Sequence, residues 1–448
     1  MKSKIISIIA VSIFSFSPSS IVIFNKACRG CNISKAFEIT ALSILMLLGV
    51  AGASPFAYVA NIDGNNVSVI DTATDKVVAT VNTGSSPQGI AVSPDGTRVY
   101  VTNCMSNSVS VIDAVKNKVI DTVYVGSYPT RVAVNPDGTK VYVTNVESKT
   151  ISVIDTATNN VTAIVKVGNY PMDVEVAPDG KKAYLMNFGI PPDYQGNVSI
   201  IDTVTNTITA TVNVEKAPQG IAVSPDGAKV YVVNSNSYPY YKGTVSVIDT
   251  STNTVTATVN VGSCPMGIAV SPDGTRVYVA VDMPGGYSGK GDIDVTSIKG
   301  SVDVIDTAKN EFIDRVSVGS APHEVAVTPD GNEVYVVNYG SNTTSVIDTA
   351  TNKVNTTVPV GGYPTVVKIG PVTKFSSTTE SNSTFFLNPI TRTQNQTNDT
   401  GMAANVGTVG NQERESIPTK ASKDAPFLSP IWVLVAVLGT AVFVKKMK

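Results

Sequence analysis

The stretch PQGIAVSPDGTRVYVTNCMSNSVSVIDAVKNKVIDTVYVG, residues 87–126, decides the fold. It predicts four short strands, because runs rich in valine, isoleucine, tyrosine and threonine alternate with turn residues. Pro94, Asp95 and Gly96 predict the first turn, since proline fixes φ and glycine readily adopts positive φ. Asp113, at the end of the V-I-D tripeptide, is predicted to accept hydrogen bonds from backbone amides of the next turn.

The same pattern recurs along most of the chain. The tripeptide V/I-I-D occurs seven times, at steps of 42, 42, 47, 47, 57 and 42 residues. Its aspartates are Asp71, Asp113, Asp155, Asp202, Asp249, Asp306 and Asp348. The tripeptide P-D-G occurs six times with the same insertions between copies. Two markers with one shared period identify a structural repeat.

A repeat of this length with four strands predicts an all-β fold, a β-propeller of four-stranded antiparallel blades. The first blade, which starts at residues 56–61, has no strand before it, and residues 364–370 form a strand with no blade after it. We expect these two segments to pair, which completes a seven-bladed ring over residues 54–371 and leaves no open sheet edge.

A family resemblance accompanies the repeat. The element Y-V-T-N stands at Tyr100–Asn103 and at Tyr142–Asn145, four other blades carry variants, and the sixth blade has Val281 in place of asparagine. Together with P-D-G and V-I-D, this resembles the YVTN-family β-propeller repeats of archaeal surface-layer and cell-surface proteins. The resemblance implies the propeller fold and an extracellular setting, and it implies no particular activity.

The two ends of the chain predict export and anchoring. Residues 1–53 form an apolar leader, for which we expect a signal peptide cleaved after Ala53 and a mis-assigned translation start upstream. Residues 426–448 form a predicted transmembrane anchor, because residues 427–444 carry no charge and the basic KKMK follows at once. The protein is therefore expected at the cell surface, with the propeller outside the membrane.

Residues 372–425, between propeller and anchor, are rich in serine, threonine and asparagine. This composition predicts a flexible stalk, since it offers little apolar surface to bury. The stalk contains N-x-S/T sequons at Asn382, Asn395 and Asn398, which we interpret as candidate glycosylation sites.

Composition argues against several functions. A net charge of −2 with 15% charged residues does not predict a nucleic-acid partner. A single histidine argues against histidine-rich metal sites and bis-histidine haem ligation, and no C-x-x-C-H motif is present. We therefore predict no metal and no cofactor, which also disfavours a redox propeller.

Insertions indicate a binding face. They fall in loops of three neighbouring blades, at residues 188–196, 235–243 and 282–300. These loops carry the tyrosines Tyr194, Tyr238, Tyr240, Tyr241 and Tyr287. Clustered tyrosines on a rigid scaffold are typical of sites for a protein or glycan of the cell envelope. The alternative is that the insertions are surface loops without a function.

The channel mouth holds a second set of candidates, Arg131, Asp173, His323 and Glu324, at the starts of inner strands. His323 would act as a general base if Glu324 held its tautomer.

Two function classes follow. The first is a structural or interaction module, part of a surface layer or an adhesin, displayed on the stalk. The alternative is a propeller hydrolase of the sugar-lactonase type with its site at the channel mouth. The sparse supply of catalytic residues favours the first, so the sequence predicts that the protein is not an enzyme.

Overall fold

A computed structural model describes residues 55–236, 242–283 and 299–371. These residues form 28 strands in seven four-stranded antiparallel sheets, which confirms the predicted all-β, seven-bladed propeller. We number the strands in chain order, and in each blade they run from the channel outwards.

The first three blades are compact, and a short 3₁₀ turn at Cys104–Ser106 lies in the second. Blade 1 contains β28 (Pro364–Ile369), β1 (Phe56–Asn61), β2 (Asn66–Asp71) and β3 (Lys76–Asn82). Blade 2 contains β4 (Pro87–Val92), β5 (Arg98–Asn103), β6 (Ser108–Asp113) and β7 (Lys118–Tyr124). Blade 3 contains β8 (Pro129–Val134), β9 (Lys140–Asn145), β10 (Thr150–Asp155) and β11 (Asn160–Lys166).

The next three blades carry the insertions, and the last is compact again. Blade 4 contains β12 (Pro171–Val176), β13 (Lys182–Asn187), β14 (Gln195–Asp202) and β15 (Thr207–Lys216). Blade 5 contains β16 (Pro218–Val223), β17 (Lys229–Asn234), β18 (Thr244–Asp249) and β19 (Thr254–Asn260). Blade 6 contains β20 (Ser263–Val270), β21 (Arg276–Met283), β22 (Lys299–Asp306) and β23 (Glu311–Ser320). Blade 7 contains β24 (Pro322–Val327), β25 (Glu333–Asn338), β26 (Thr343–Asp348) and β27 (Lys353–Pro359).

The ring closes as the sequence predicts. Strand β28 pairs antiparallel with β1, with Val367 opposite Val59 and Lys368 opposite Tyr58. The last strand of the described chain thus becomes the innermost strand of the first blade, and the inner strands contact one another in a closed ring. The inner edge of β1, which would otherwise be exposed, is therefore paired, and each of the seven described blades has four strands.

The core lies between the blades. The second and third strands of each blade are buried on both faces, as stacked blades require. The tyrosine of the Y-V-T-N element is almost wholly buried in every blade. Its asparagine is also buried, and in blade 2 Asn103 Nδ2 donates to the hydroxyls of Ser108 and Ser110. This element is therefore a structural part of the repeat.

The aspartates that recur in each repeat stabilise turns. Asp113 Oδ1 accepts hydrogen bonds from the amides of Val115 and Lys116, which confirms the turn role predicted for the V-I-D motif. The P-D-G glycines have positive φ, for example 71° at Gly96.

Neighbouring blades are tied by a repeated contact. The first residue of the second strand is a cation in five blades, and it donates to a threonine carbonyl of the following blade. These cations are Arg98, Lys140, Lys182, Lys229 and Arg276. At the junction of blades 7 and 1 the position is Glu333, which lies near the carboxylate of Asp75. Tyr335 donates to Asp75 Oδ1 there, so this junction lacks the cationic tie.

Several predictions fall outside the described residues. They concern the leader (1–53, with residue 54), the stalk (372–425), the anchor (426–448) and the three stalk sequons. Within the described ranges, no helix is long and apolar enough to cross a membrane.

Candidate functional site

The inner strands bring two sets of residues to the channel. Counting the inner-strand proline as one, the third residues are Gly89, Arg131, Asp173, Gly220, Gly267, Glu324 and Val366. The fifth residues are Ala91, Ala133, Glu175, Ala222, Ala269, Ala326 and Lys368. Because side chains two residues apart share a face of a strand, each set forms a layer, and the layers lie about 7 Å apart. Five charged residues thus converge from four blades.

An ion pair spans the first layer. Arg131 Nη2 lies 3.0 Å from Glu324 Oε2, and these residues belong to blades 3 and 7, on opposite sides of the channel. The side chains are only 15% and 7% exposed. Arg131 Nη1 also donates to the carbonyl of Gln88 at 2.8 Å. The structure therefore brings together two of the residues that the sequence predicts at the channel mouth.

Glycine leaves room for this pair. A Cβ atom at Gly267 would lie 2.6 Å from both Cα and Oε1 of Glu324. A Cβ atom at Gly89 would lie 2.9 Å from Cα of Arg131. Small residues at the third position of adjacent blades therefore allow the long charged side chains to occupy the channel.

Asp173 is buried in the same layer. Its Oδ1 accepts from the amide of Val174 at 2.9 Å, and its Oδ2 from the amide of Ile221 at 3.3 Å. Burial raises the pKa of Asp173 to about 7, although the nearby Arg131 opposes the rise. A carboxyl with a pKa near neutrality can both accept and return a proton, which suits it to general acid–base chemistry.

His323 is held in one tautomer by the backbone. Its Nδ1 lies 2.8 Å from the carbonyl oxygen of Thr365, which can only accept, so Nδ1 carries the proton and Nε2 keeps its lone pair. The carbonyl of Thr365 thus fixes the His323 tautomer, a role that the sequence-based hypothesis assigned to Glu324. Glu324 is instead paired with Arg131. Burial, together with the smaller effect of the nearby Arg131 charge, lowers the pKa of His323 to about 4, so the imidazole is neutral at neutral pH.

A second ion pair spans the other layer, and sequence reasoning missed it. Lys368 Nζ lies 3.2 Å from Glu175 Oε1, again between opposite blades. Burial lowers the pKa of Lys368, but Glu175, Glu324 and Asp173 together raise it above its ordinary value. Aligning the repeats would have revealed these residues, because the other five blades carry alanine at the fifth position.

A cavity of about 370 Å³ opens onto this second pair from the end of the channel where the P-D-G turns lie. Apolar residues such as Ala91, Val132 and Pro329 line it together with the charged residues Lys368 and Glu175, and its exposed surface is about equally polar and apolar. The size and this mixture of apolar and polar groups suit a small organic ligand.

The tyrosine face is described only in part. Tyr194 is half-buried and packs edge-on against Phe188, with ring centroids 5.7 Å apart. Tyr238, Tyr240, Tyr241 and Tyr287 lie outside the described residues. The predicted tyrosine site therefore stays a prediction.

Comparison with protein families identifies the repeat region. The sequence profile of the family described as lactonase, 7-bladed beta-propeller, matches residues 54–184 and 197–371. The chain belongs to this family. The matched residues include every charged residue of the channel, and the resemblance to YVTN cell-surface repeats remains a prediction beside it.

Comparison with solved structures places the lactonase-family propeller among others of the same fold. Hydrazine synthase of Kuenenia stuttgartiensis is 23% identical in sequence. The match covers 62% of this chain and 87% of the hydrazine synthase chain, with a TM-score of 0.56. A functionally unknown protein of Desulfotomaculum acetoxidans is 16% identical in sequence. The match covers 71% of this chain and 99% of that protein's chain, with a TM-score of 0.57. No curated protein matches the sequence.

The family match corrects one prediction. The sequence analysis expected a protein that is not an enzyme, because it counted only one histidine, two acids and one arginine at the channel mouth. That prediction is wrong, since the family is named for an enzymatic activity and its profile matches residues in all seven blades. Five charged side chains converge in the channel, and the sequence analysis had located only three of them.

Proposed function

We propose that this propeller hydrolyses a lactone inside its central channel. The observation that carries the proposal is the buried cluster of Arg131, Asp173 and Glu324, beside the Lys368–Glu175 pair that borders the cavity. Membership of the lactonase family supports the reaction class. A hydrolase needs a base for water and a donor for the developing oxyanion, and this cluster offers both.

Asp173 is the proposed general base. Its ionised carboxylate accepts a proton from a water molecule as the water oxygen bonds to the lactone carbonyl carbon. The tetrahedral intermediate then collapses, the bond to the ring oxygen breaks, and protonated Asp173 returns its proton to that oxygen. The product is a hydroxy acid, which loses its carboxylic proton to solvent.

Lys368 and Arg131 supply the positive charge. The ammonium group of Lys368 reaches the cavity and can donate a hydrogen bond to the carbonyl oxygen as its negative charge grows. Arg131 favours the ionised form of Asp173 through its charge. Glu324 and Glu175 position these two cations through the ion pairs.

The test measures whether the full chain hydrolyses simple five- and six-membered lactones. The rate of hydrolysis is monitored through the acid that is released. Asp173→Asn is expected to lower kcat by about 10²-fold or more, as removal of a general base does. Lys368→Met is expected to lower kcat/KM, whereas Lys116→Met, at an exposed lysine of blade 2, is a matched control with wild-type activity. Hydrolysis at the uncatalysed rate, or equal rates for wild type and Asp173→Asn, would refute the proposal.

The predicted setting is a separate proposal. We infer that the propeller acts outside the membrane, carried on the stalk by the C-terminal anchor and exposed to envelope proteins or glycans. The apolar residues 427–444 and the basic KKMK support this orientation. Protease treatment of intact cells tests it, because an external propeller is degraded while an internal one survives.

A further inference from the structure

The peptide group between Thr130 and Arg131 is held at both ends by threonine hydroxyls. Thr102 Oγ1 donates to the carbonyl oxygen of Thr130 at 2.8 Å, and Thr144 Oγ1 accepts from the amide of Arg131 at 2.9 Å. Thr102 Oγ1 also accepts from the amide of Gly89 at 2.7 Å, so its one proton is left for the carbonyl of Thr130. Thr102 and Thr144 are both fully buried. The backbone from which the Arg131 side chain extends across the channel is therefore fixed by two side chains.

The strand ladder alone does not hold this peptide group. The register of β8 against β9 shifts between Pro129 and Val132, and Arg131 has no partner in it. A residue in such an irregularity is left unpaired, and a buried amide without an acceptor is destabilising. The hydroxyl of Thr144 supplies the acceptor that the ladder does not give to the amide of Arg131.

Hydroxyl groups at this position of the repeat occur only in the two blades that hold the peptide group. Thr102 and Thr144 are the threonines of the two intact Y-V-T-N elements, in blades 2 and 3. The other five blades have an apolar residue there, and these are Ala60, Met186, Val233, Ala280 and Val337. The threonine is therefore not required by the blade fold, and its presence follows the location of Arg131.

A third hydroxyl extends this network to the next blade. Thr130 Oγ1 lies 2.9 Å from Thr144 Oγ1 and donates to the carbonyl of Met172 at 3.1 Å. Because Thr130 has only one hydroxyl proton, Thr144 is the donor between the two threonines. Met172 directly precedes Asp173, so the hydroxyl chain connects the backbone of Arg131 with that of the proposed base.

The location of the peptide group determines where the guanidinium lies. Arg131 Nη1 donates to the carbonyl of Gln88 at 2.8 Å, and Nη2 donates to Glu324 Oε2 at 3.0 Å. These acceptors belong to blades 2 and 7, so a shifted backbone would cost the guanidinium one of the two hydrogen bonds.

Arg131 is one of two cations that face Asp173. The charged groups around this carboxyl are Arg131, Lys368, Glu324 and Glu175. The charge of Arg131 favours the ionised carboxylate, whereas the two glutamates disfavour it. If Arg131 moved away, two carboxylates and only one ammonium group would face Asp173, and its pKa would rise further.

We propose that Thr102 and Thr144 are positioning residues for the channel, because they fix the peptide group that precedes Arg131 and so keep its guanidinium near Asp173. This inference rests on the proposed lactone hydrolysis. The two threonines act through Arg131 and take no part in the bond-making steps.

The experiment measures kcat/KM of the full chain for a six-membered lactone as a function of pH. Thr144→Val removes the hydroxyl and keeps the shape, and it is expected to move the rising limb of the profile to higher pH by about half a unit or more. Thr144→Ser keeps the hydroxyl and should retain the wild-type limb. Thr344→Val is the matched control, because this threonine is also fully buried but its Oγ1 makes no hydrogen bond with any described residue.

The pH profile separates positioning from simple support of the fold. An unchanged limb in Thr144→Val, even in a less stable variant, would overturn the proposal. An equal shift in Thr144→Ser would also overturn it, since the hydroxyl would then not be responsible. Should Thr144→Val fail to fold, Thr102→Val makes the same test from the carbonyl end and is expected to shift the limb in the same direction.

A second measurement separates this inference from the proposed function. If no lactone is hydrolysed, the hydrolase proposal fails, and denaturant unfolding still tests the placement of Arg131. The stability gained by Asp173→Asn grows with pH until Asp173 is ionised in the folded protein. In the Thr144→Val background this growth should continue to a pH about half a unit higher than in wild type. Growth that ends at the same pH in both backgrounds would overturn the positioning role.

Discussion

Replacing Asp173 with asparagine tests whether burial of this carboxyl makes the stability of the protein depend on pH. Burial raises the pKa of this carboxyl from 3.8 to about 7. The folded protein therefore binds the proton more tightly than the unfolded chain, and the resulting stabilisation is lost as pH rises from about 4 through 7. The charged groups that face Asp173 are Arg131, Glu324, Glu175 and Lys368, and they act on the same titration.

The free-energy cost of ionising Asp173 in the folded protein follows from its pKa shift. About three pKa units at about 1.4 kcal/mol each give an upper limit of about 4 kcal/mol for ionising Asp173 in the fold. Asparagine keeps the shape and removes the charge, but it loses part of the hydrogen bonding to the amides of Val174 and Ile221. We expect Asp173→Asn to be about 2 kcal/mol more stable than wild type at about pH 8, with no such gain at about pH 4.

The assay is denaturant unfolding of wild type and variant across this pH range. Asp193→Asn is the control, because this exposed aspartate lies on a loop of the same blade and its replacement should give no pH-dependent gain. A variant that is less stable than wild type at high pH, or a difference that does not change with pH, would refute the reasoning. In the lactone assay, wild-type kcat/KM should rise with pH through about 7, because only the ionised carboxylate accepts a proton.

Three further predictions concern the ring. Glu333→Lys should raise the free energy of unfolding by about 1 kcal/mol in thermal or denaturant melts. The lysine would allow the contact to a threonine carbonyl that five other blades make, and it would remove the repulsion between Glu333 and Asp75. A less stable variant would contradict this. Gly267→Ala should destabilise the protein by about 1–3 kcal/mol and lower kcat/KM, because the added Cβ would clash with Glu324. A variant with wild-type stability and activity would contradict this and show that the inner strands can shift to accommodate the Cβ. A chain truncated after residue 363 should lose its cooperative melting transition, whereas one truncated after residue 371 keeps β28 and should melt like wild type; equal melting of both would show that closure is dispensable.

The candidate site residues were predictable only in part. Arg131, Asp173, His323 and Glu324 follow from their place after the inner-strand proline, which the repeat pattern makes visible. Their partners do not follow, because the pairing of Glu324 with Arg131 rather than with His323 depends on which blades face each other across the channel. The tyrosine loops carry no comparable periodic signal.

The sequence by itself determined the number of blades, the strands in each and the closure by residues 364–370. It could do so because turn chemistry and two-sided burial are local requirements that every repeat must satisfy with the same residue types. Only the tertiary structure decided the chemistry of the channel. Arg131 and Glu324 are 193 residues apart, as are Glu175 and Lys368, and ring closure alone brings each pair within 3.2 Å. Burial of Asp173 among the assembled blades then raises its pKa, because desolvation depends on the surrounding blades and not on the neighbours in the chain.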